Sequence, residues 1–159
     1  MNKLISDNRE LALTTQVLLG QKVEELVLID VRKIKTLPYD FVVIGTCQSE
    51  VQMRSVLNTA RRELKGQVSP LREEYTPGVR WGVLDAGDFM VHLFEKKTRE
   101  YYSLERLWAD APLIELDEQL IKPSIDSIDE ALPPTKKPKA PAKTSTRRKA
   151  AKQSDDSYL

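Results

Sequence analysis

The stretch that decides the fold begins Phe41-Val-Val-Ile-Gly-Thr-Cys-Gln-Ser-Glu50 and continues Val51-Gln-Met-Arg-Ser-Val-Leu-Asn-Thr-Ala-Arg-Arg-Glu-Leu-Lys-Gly66. Its first part, Phe41 to Ile44, is a continuous apolar run of strand length, the pattern of a strand buried on both faces. Ser49 then stands where a helix N-cap belongs, its hydroxyl able to accept one of the first unpaired helical N–H groups. From there Met53, Val56, Leu57, Ala60 and Leu64 recur on one face of a 3.6-residue period, and Gly66 is placed to end the helix. A buried strand feeding an amphipathic helix predicts a sheet with helices packed on it.

Working outward toward the N-terminus, Leu26-Val-Leu-Ile-Asp-Val31 is a second apolar run, separated from the first by the turn signal Thr36-Leu-Pro-Tyr39. Ahead of it a helix carries Leu11, Leu18, Val23 and Leu26 at helical spacing, with Ser6 or Asp7 as its cap and Gly20 as an irregularity late in it. Toward the C-terminus, Val68 to Tyr75 is a weaker strand candidate closed by Thr76-Pro-Gly78. Trp81–Leu84 and Phe89–Phe94 are stronger ones, joined by Asp85-Ala-Gly-Asp88, where Gly87 supplies the positive φ of a tight hairpin. Along the second of these strands Phe89, Val91 and Leu93 point one way, and Met90, His92 and Phe94 the other. Thr98 can then cap a last helix over Arg99–Asp110, stopped by Pro112. On it Tyr101, Leu104 and Trp108 share one face, while Tyr102, Arg106 and Ala109 share another. Rings on both faces exceed what covering a sheet requires, since a covering helix has a polar outer side.

The segment from Trp81 to Trp108 holds both tryptophans and the single histidine. Such a concentration marks an aromatic core or a contact surface. Large, stiff anchors set among groups that exclude water are what protein-binding patches use. The candidates for touching a partner are His92, Phe94, Arg99, Tyr102, Leu104, Arg106 and Trp108. Each also has a plain structural reading. His92 between apolar neighbours suits a hydrogen-bonded core position. Trp81 and Trp108 can pack over the sheet, Asp85 and Asp88 can hold their hairpin, and Arg99 can pair with Glu95 or Glu105.

Composition sets the outer limits. A chain of 159 residues with 40% apolar content supports one domain with a real core and a modest appendage. The lone Cys47 excludes an internal disulfide, and with one histidine it cannot supply the usual zinc ligand set; a reducing, cytoplasmic compartment fits. The sequence shows neither a signal peptide nor an apolar stretch of spanning length, so no membrane role is expected. Its net charge of +1 conceals two opposed parts. From Pro133 to Leu159, eight Lys or Arg face Asp155 and Asp156, while the preceding residues carry 17 basic and 22 acidic side chains. The tail is proline-rich and has no apolar residue larger than Ala before Tyr158, so it is expected to be disordered. Lys136, Lys137, Lys139, Arg147, Arg148 and Lys149 suit salt-sensitive contact with RNA phosphates, or simply a solvated tail.

Three segments together, Asp30-Val-Arg32, Asp40 through Ser49, and Trp81 through Trp108 with its L-D-x-G-D-x-x-V-H-x-F and R-E-Y-Y-x-L-E-R-L-W patterns, resemble the ribosomal silencing factor, or Iojap-like, family. The resemblance covers residues 5 to 112 in order and with short gaps; residues 113–132 form an acidic linker or docked segment, and the tail 133–159 lies outside it. Cys47 stands where the family tends to have Gly, and Glu73-Glu-Tyr75 replaces a Glu-Gly pair. The resemblance implies an α/β (α+β) fold, with a mixed β-sheet of about five strands flanked by helices, nucleotidyltransferase-like without its active site. It further implies a non-enzymatic role: binding the large ribosomal subunit through its fourteenth ribosomal protein, blocking joining of the small subunit, and repressing translation under nutrient limitation. Members are also dimers in isolation, which implies a homodimer as a further partner.

Catalysis is disfavoured by the residues themselves. Nucleotidyl transfer needs paired carboxylates on a strand to hold divalent metal, whereas Asp85 and Asp88 sit across a turn. A Cys47–His92 nucleophilic pair lacks an evident orienting third group. No cofactor or metal is expected. The alternative function is that of an RNA-binding ribosome assembly factor acting through the basic tail and rRNA.

Overall fold

The computed structural model describes residues 3–120. It contains, in chain order, α1 (Lys3–Ser6), α2 (Arg9–Gly20), β1 (Glu24–Asp30), β2 (Phe41–Cys47), α3 (Glu50–Leu64), β3 (Arg72–Tyr75), β4 (Trp81–Asp85), β5 (Phe89–Glu95), α4 (Lys96–Tyr102), α5 (Leu104–Leu107) and β6 (Leu113–Glu115). The six strands form one sheet in the order β3-β4-β5-β2-β1-β6. Only β2 and β5 run parallel, in the register Phe41↔Phe89 to Cys47↔Glu95; the other neighbours are antiparallel. The expected mixed sheet is therefore present, with one strand more than the sequence suggested.

Every residue of β2 is buried because the strand is central and both sheet faces above and below it are covered. Its side chains alternate between two cores. Phe41, Val43 and Cys47 join Leu26, Leu28, Phe89, Val91 and Leu93 against α2 and α3, contributed by Leu11, Leu18, Met53, Val56, Leu57, Ala60 and Leu64. Val42 and Ile44 join Val27, Ile29 and Phe94 on the opposite face, under Ile34, Leu37 and Tyr39 of the β1–β2 connection and Leu104, Trp108 and Ala111. Packing rather than helix propensity holds α3, since fully burying a Leu or Met contributes about 1.5–3 kcal/mol each. Its start is fixed as the sequence indicates, with Ser49 Oγ accepting from the Gln52 N–H at 3.1 Å.

Several boundaries differ from expectation for identifiable reasons. Lys3–Ser6 makes its own short turn, so the cap of α2 moves to Asn8, whose Oδ1 accepts from the Leu11 N–H at 3.0 Å. Gly20 ends α2 instead of interrupting it. The weak candidate Val68–Tyr75 contracts to the four residues of β3, a half-exposed edge strand. The hairpin Asp85–Asp88 forms as read: Gly87 adopts φ +80° and its N–H donates to Asp85 Oδ1 at 2.9 Å.

The largest departure is the last helix. A continuous helix over Arg99–Asp110 does not exist. The chain enters α4 earlier, at Lys96, with Glu95 rather than Thr98 in the cap position, and breaks at Ser103 in the left-handed region, φ 44° and ψ 54°. After the single turn α5 it extends into β6, which pairs antiparallel with β1 through Leu28↔Ile114, and Leu116 is buried beside it. The sheet thus continues past residue 112, into the segment that the sequence read as a linker or docked element.

Candidate docking face

Trp81 of β4 and His92 and Phe94 of β5 lie on the sheet face away from α2 and α3. Trp81 opens β4 directly opposite Phe94 of β5, and Val83 lies opposite His92. The ring centroids of Trp81 and Phe94 are 4.9 Å apart, and Tyr102, the last residue of α4, sits 4.8 Å from Trp81 and 6.3 Å from Phe94. Tyr101 meets Tyr102 edge-on at 5.1 Å. These separations suit offset and edge-to-face contacts, which add to the area term and stiffen the cluster. His92 lies 5.8 Å from Trp81, and its Nδ1 accepts the Trp81 Nε1–H at 3.1 Å. Burial pushes the His92 pKa from 6.5 to about 4, so the ring is neutral at physiological pH and able to accept that bond.

The broken helix is held to the sheet by Arg99. Its Nε donates to Glu105 Oε1 at 2.7 Å and its Nη2 forms an ion pair with the same oxygen at 2.7 Å, while Nη1 donates to the Glu25 carbonyl at 2.7 Å and to Thr46 Oγ1 at 2.8 Å. Glu25 itself sits at φ 49° where the β1–β2 register shifts, so the guanidinium joins that irregularity to the α4–α5 corner. Ser103 completes the corner: its N–H donates to the Arg99 carbonyl and its hydroxyl to the Glu100 carbonyl. The sharp exit turns Tyr101 and Leu107 to the surface, 82% and 70% exposed, with Tyr102 at 45%. Beside Trp81, Glu74, Tyr75, Thr76, Val79 and Val83 line an open groove of about 220 Å³. Contiguous exposed aromatic and aliphatic side chains on a rigid support form a surface suited to a protein partner.

The seven residues proposed from sequence divide accordingly. Phe94 is fully buried and His92 nearly so; they support the face from below and cannot themselves meet a partner. Arg99 is engaged by three hydrogen bonds and its ion pair with Glu105 rather than free for an external carboxylate. Leu104 and Trp108 are half-buried over the second core because the break at Ser103 removes the helical face that would have aligned them with Tyr101. Tyr102 and Arg106 are exposed. Trp81, read from sequence as core, is half-buried against the second core and also meets Tyr102, while Tyr101 and Leu107 are exposed. The hairpin register that sets Trp81 opposite Phe94 is what puts the two on one face. The tail residues Lys136, Lys137, Lys139, Arg147, Arg148 and Lys149 lie outside the described residues.

The arrangement offers little to a reaction. Cys47 faces the α2/α3 core whereas His92 faces the opposite side of the sheet, so they cannot act as a pair. Burial, aided by the Glu95 carboxylate, pushes the Cys47 thiol up to about 12, which keeps it protonated and a poor nucleophile. Asp85 holds its turn. Among the described residues no group of three His, Cys, Asp or Glu is placed to hold a metal ion, and no helix is long and apolar enough to cross a membrane.

The family model described as ribosomal silencing factor during starvation matches residues 6–156. The ribosomal silencing factor RsfS of Halalkalibacterium halodurans is 32% identical over 114 residues, covering 71% of this chain and 97% of that protein. The Bacillus subtilis protein of the same name is 34% identical over 102 residues, covering 61% and 82%. A crystal structure of a Bacillus halodurans protein superimposes with a TM-score of 0.58 at 32% identity, covering 69% of this chain and all of that one.

Proposed function

This chain belongs to the ribosomal silencing factor family, whose members are ribosome-associated regulators of translation, and we propose that it acts by docking its aromatic face on a protein of the large ribosomal subunit. The observation that carries the reading is the Tyr101–Tyr102–Trp81 cluster, its two tyrosines exposed and Trp81 half-buried beneath them, stiffened by stacking and by the Arg99 clamp. By the resemblance, the partner is the fourteenth large-subunit ribosomal protein, and the consequence is steric: with that site covered, the small subunit cannot join. Occlusion needs no chemistry from this chain, in keeping with a regulatory role and with the neutral His92 and protonated Cys47. An acidic body is also attracted to a basic ribosomal protein and repelled by bare RNA, which directs encounter toward protein.

The test is subunit association. Mixed large and small subunits are resolved on sucrose gradients with and without the purified protein. Wild type shifts material from joined ribosomes to free subunits, and Tyr102→Ala does so only at roughly tenfold or higher concentration, the effect of about 1.4 kcal/mol at an interface. Full activity of a Tyr101→Ala/Tyr102→Ala protein would remove the proposal.

A second contact through the basic tail is favoured by its eight Lys or Arg against two Asp. Neutralising phosphates makes binding salt-dependent. Deleting residues 133–159 therefore leaves large-subunit binding largely intact and makes it less sensitive to salt. Complete loss of binding on that deletion, with none from the tyrosine changes, points instead to an RNA-binding assembly factor.

A further inference from the structure

The outer face of α3 carries one sign of charge. Placed at 100° per residue, the exposed Arg54, Ser55, Asn58, Arg61, Arg62 and Lys65 fall in a single stripe about 120° wide, opposite the buried Met53, Leu57, Ala60 and Leu64. Four cations share this side with two neutral polar residues and no carboxylate. Glu63, also exposed, stands five positions on from Asn58 at the centre of the stripe, about 140° round the helix from it. Glu50 is occupied, accepting from the Tyr75 hydroxyl and the Gly78 N–H.

These cations are barely neutralised. Arg61 reaches Glu73 only at 4.0 Å, with 67% of its side chain exposed, and such a pair is weak. Arg62 and Lys65 are in no ion pair among the described residues. The Arg54 guanidinium lies over the Tyr75 ring, 5.9 Å from its centroid, held by an aromatic face rather than by an ion pair. Residues 1–132 carry 17 basic and 22 acidic side chains, so the stripe inverts the sign of the body that bears it. Its partner is an anion. Which anion follows from what the stripe lacks, since Val51 is its one apolar residue and it holds no ring. A protein interface is anchored by large aromatic or aliphatic side chains. A membrane-surface helix buries its apolar side in lipid, and that side of α3 is already in the core. Single-stranded RNA is gripped by stacking on aromatic rings. The backbone of a duplex needs none of these: Arg and Lys neutralise its phosphates, and Ser and Asn add hydrogen bonds.

We propose that the outer face of α3 binds the phosphate backbone of double-helical RNA, with Arg54, Arg61, Arg62 and Lys65 as the phosphate contacts. From Arg54 to Lys65 the cations extend over about 16 Å of helix axis, room for several phosphates. A ribosome-associated chain meets such duplexes in ribosomal RNA. The stripe covers the side of the sheet opposite Trp81, so the two surfaces can be engaged at once and neither reading depends on the other.

Fluorescence anisotropy of the full-length protein with a labelled RNA hairpin of roughly 16 base pairs, read at a series of salt concentrations, tests this without ribosomes present. Arg62→Gln/Lys65→Gln weakens binding by roughly tenfold and lowers the slope of log affinity against log salt by about two. Lys96→Gln/Lys97→Gln removes the same charge from exposed positions outside the stripe and changes both quantities little. Urea midpoints verify that both variants are folded. Equal losses from the two pairs would reduce the effect to net charge and overturn the proposal. Binding left intact by Arg62→Gln/Lys65→Gln would also overturn it, assigning RNA contact to the tail alone. Polyglutamate or single-stranded RNA of the same length binding as tightly as the hairpin would overturn the choice of a duplex. Because the docking face is assayed separately by subunit association, failure of either proposal leaves the other standing.

Discussion

Replacing Arg99 with alanine removes three hydrogen bonds at once, one each to Glu105 Oε1, the Glu25 carbonyl and Thr46 Oγ1, together with the ion-pair contact of Nη2 with Glu105. Hydrogen bonds from a charged donor contribute about 1.5–3 kcal/mol each when buried, and they do not add when they share one guanidinium. The Arg99 side chain is 12% exposed and that of Glu105 28%, so Glu105 regains some water after the change, whereas Thr46, itself buried, regains little. The net loss is therefore about 2–3 kcal/mol, below the cost of breaking a fully buried ion pair. Arg99→Lys keeps the charge without the planar fork and loses about half as much. Urea unfolding followed by tryptophan fluorescence measures both: the midpoint falls in the order wild type, Lys, Ala, with little change in slope. A loss below about 0.5 kcal/mol for Arg99→Ala would place this pair among ordinary surface ion pairs and refute the clamp.

Other outcomes follow from the same geometry. The depressed pKa of His92 makes stability pH-dependent with a definite sign. The unfolded chain takes up this proton near pH 6.5 and the folded chain only near 4, so the contribution is complete above pH 6.5 and is lost progressively as pH falls toward 4. Over that window the loss is about 3 kcal/mol, and His92→Gln flattens this part of a stability–pH profile; an unchanged profile contradicts the assignment. Gly45→Ala and Gly82→Ala both overfill the α2/α3 side of the sheet, but unequally. A Cβ at Gly45 would stand 2.4 Å from the branched Val23 side chain and 3.0 Å from Leu26, whereas at Gly82 it meets the terminal methyl of Leu57 at 2.8 Å. Thermal melts should show Gly45→Ala costing about 1–3 kcal/mol and Gly82→Ala less; the reverse order would show that Val23 yields more easily than Leu57.

The elements legible in the sequence are those governed by local pattern. β2 and α3 follow from an apolar run and a capped 3.6-residue period, and the β4–β5 hairpin from Asp and Gly at its turn. The failures are places where distant groups decide. Nothing in Arg99 to Asp110 announces a break at Ser103; the left-handed turn there accompanies bonds from Arg99 to Glu25 and Thr46, remote in sequence. β6 escapes because three residues alternating exposed, half-buried, exposed carry no recognisable period, and only the free edge of β1 makes them a strand. The candidate site was legible as a block but not residue by residue. Alternation grouped His92 with Phe94, yet only the placement of α4 shows that both lie beneath Trp81 and Tyr102, and that Phe94 is sealed in. Trp81 does pack on the second core, as its strand position indicates, but how much of it stays open depends on where α4 sets Tyr102.

The central claim is that the exposed aromatic face carries the attachment to the large subunit. Co-sedimentation of wild type, Tyr102→Ala and Trp81→Ala with isolated large subunits, at several protein concentrations, measures it most directly. Wild type is predicted to pellet saturably with the subunits, and each variant to bind more weakly by about 1–3 kcal/mol while remaining folded. Wild-type protein that never pellets, or variants that bind as tightly as wild type, would contradict the account.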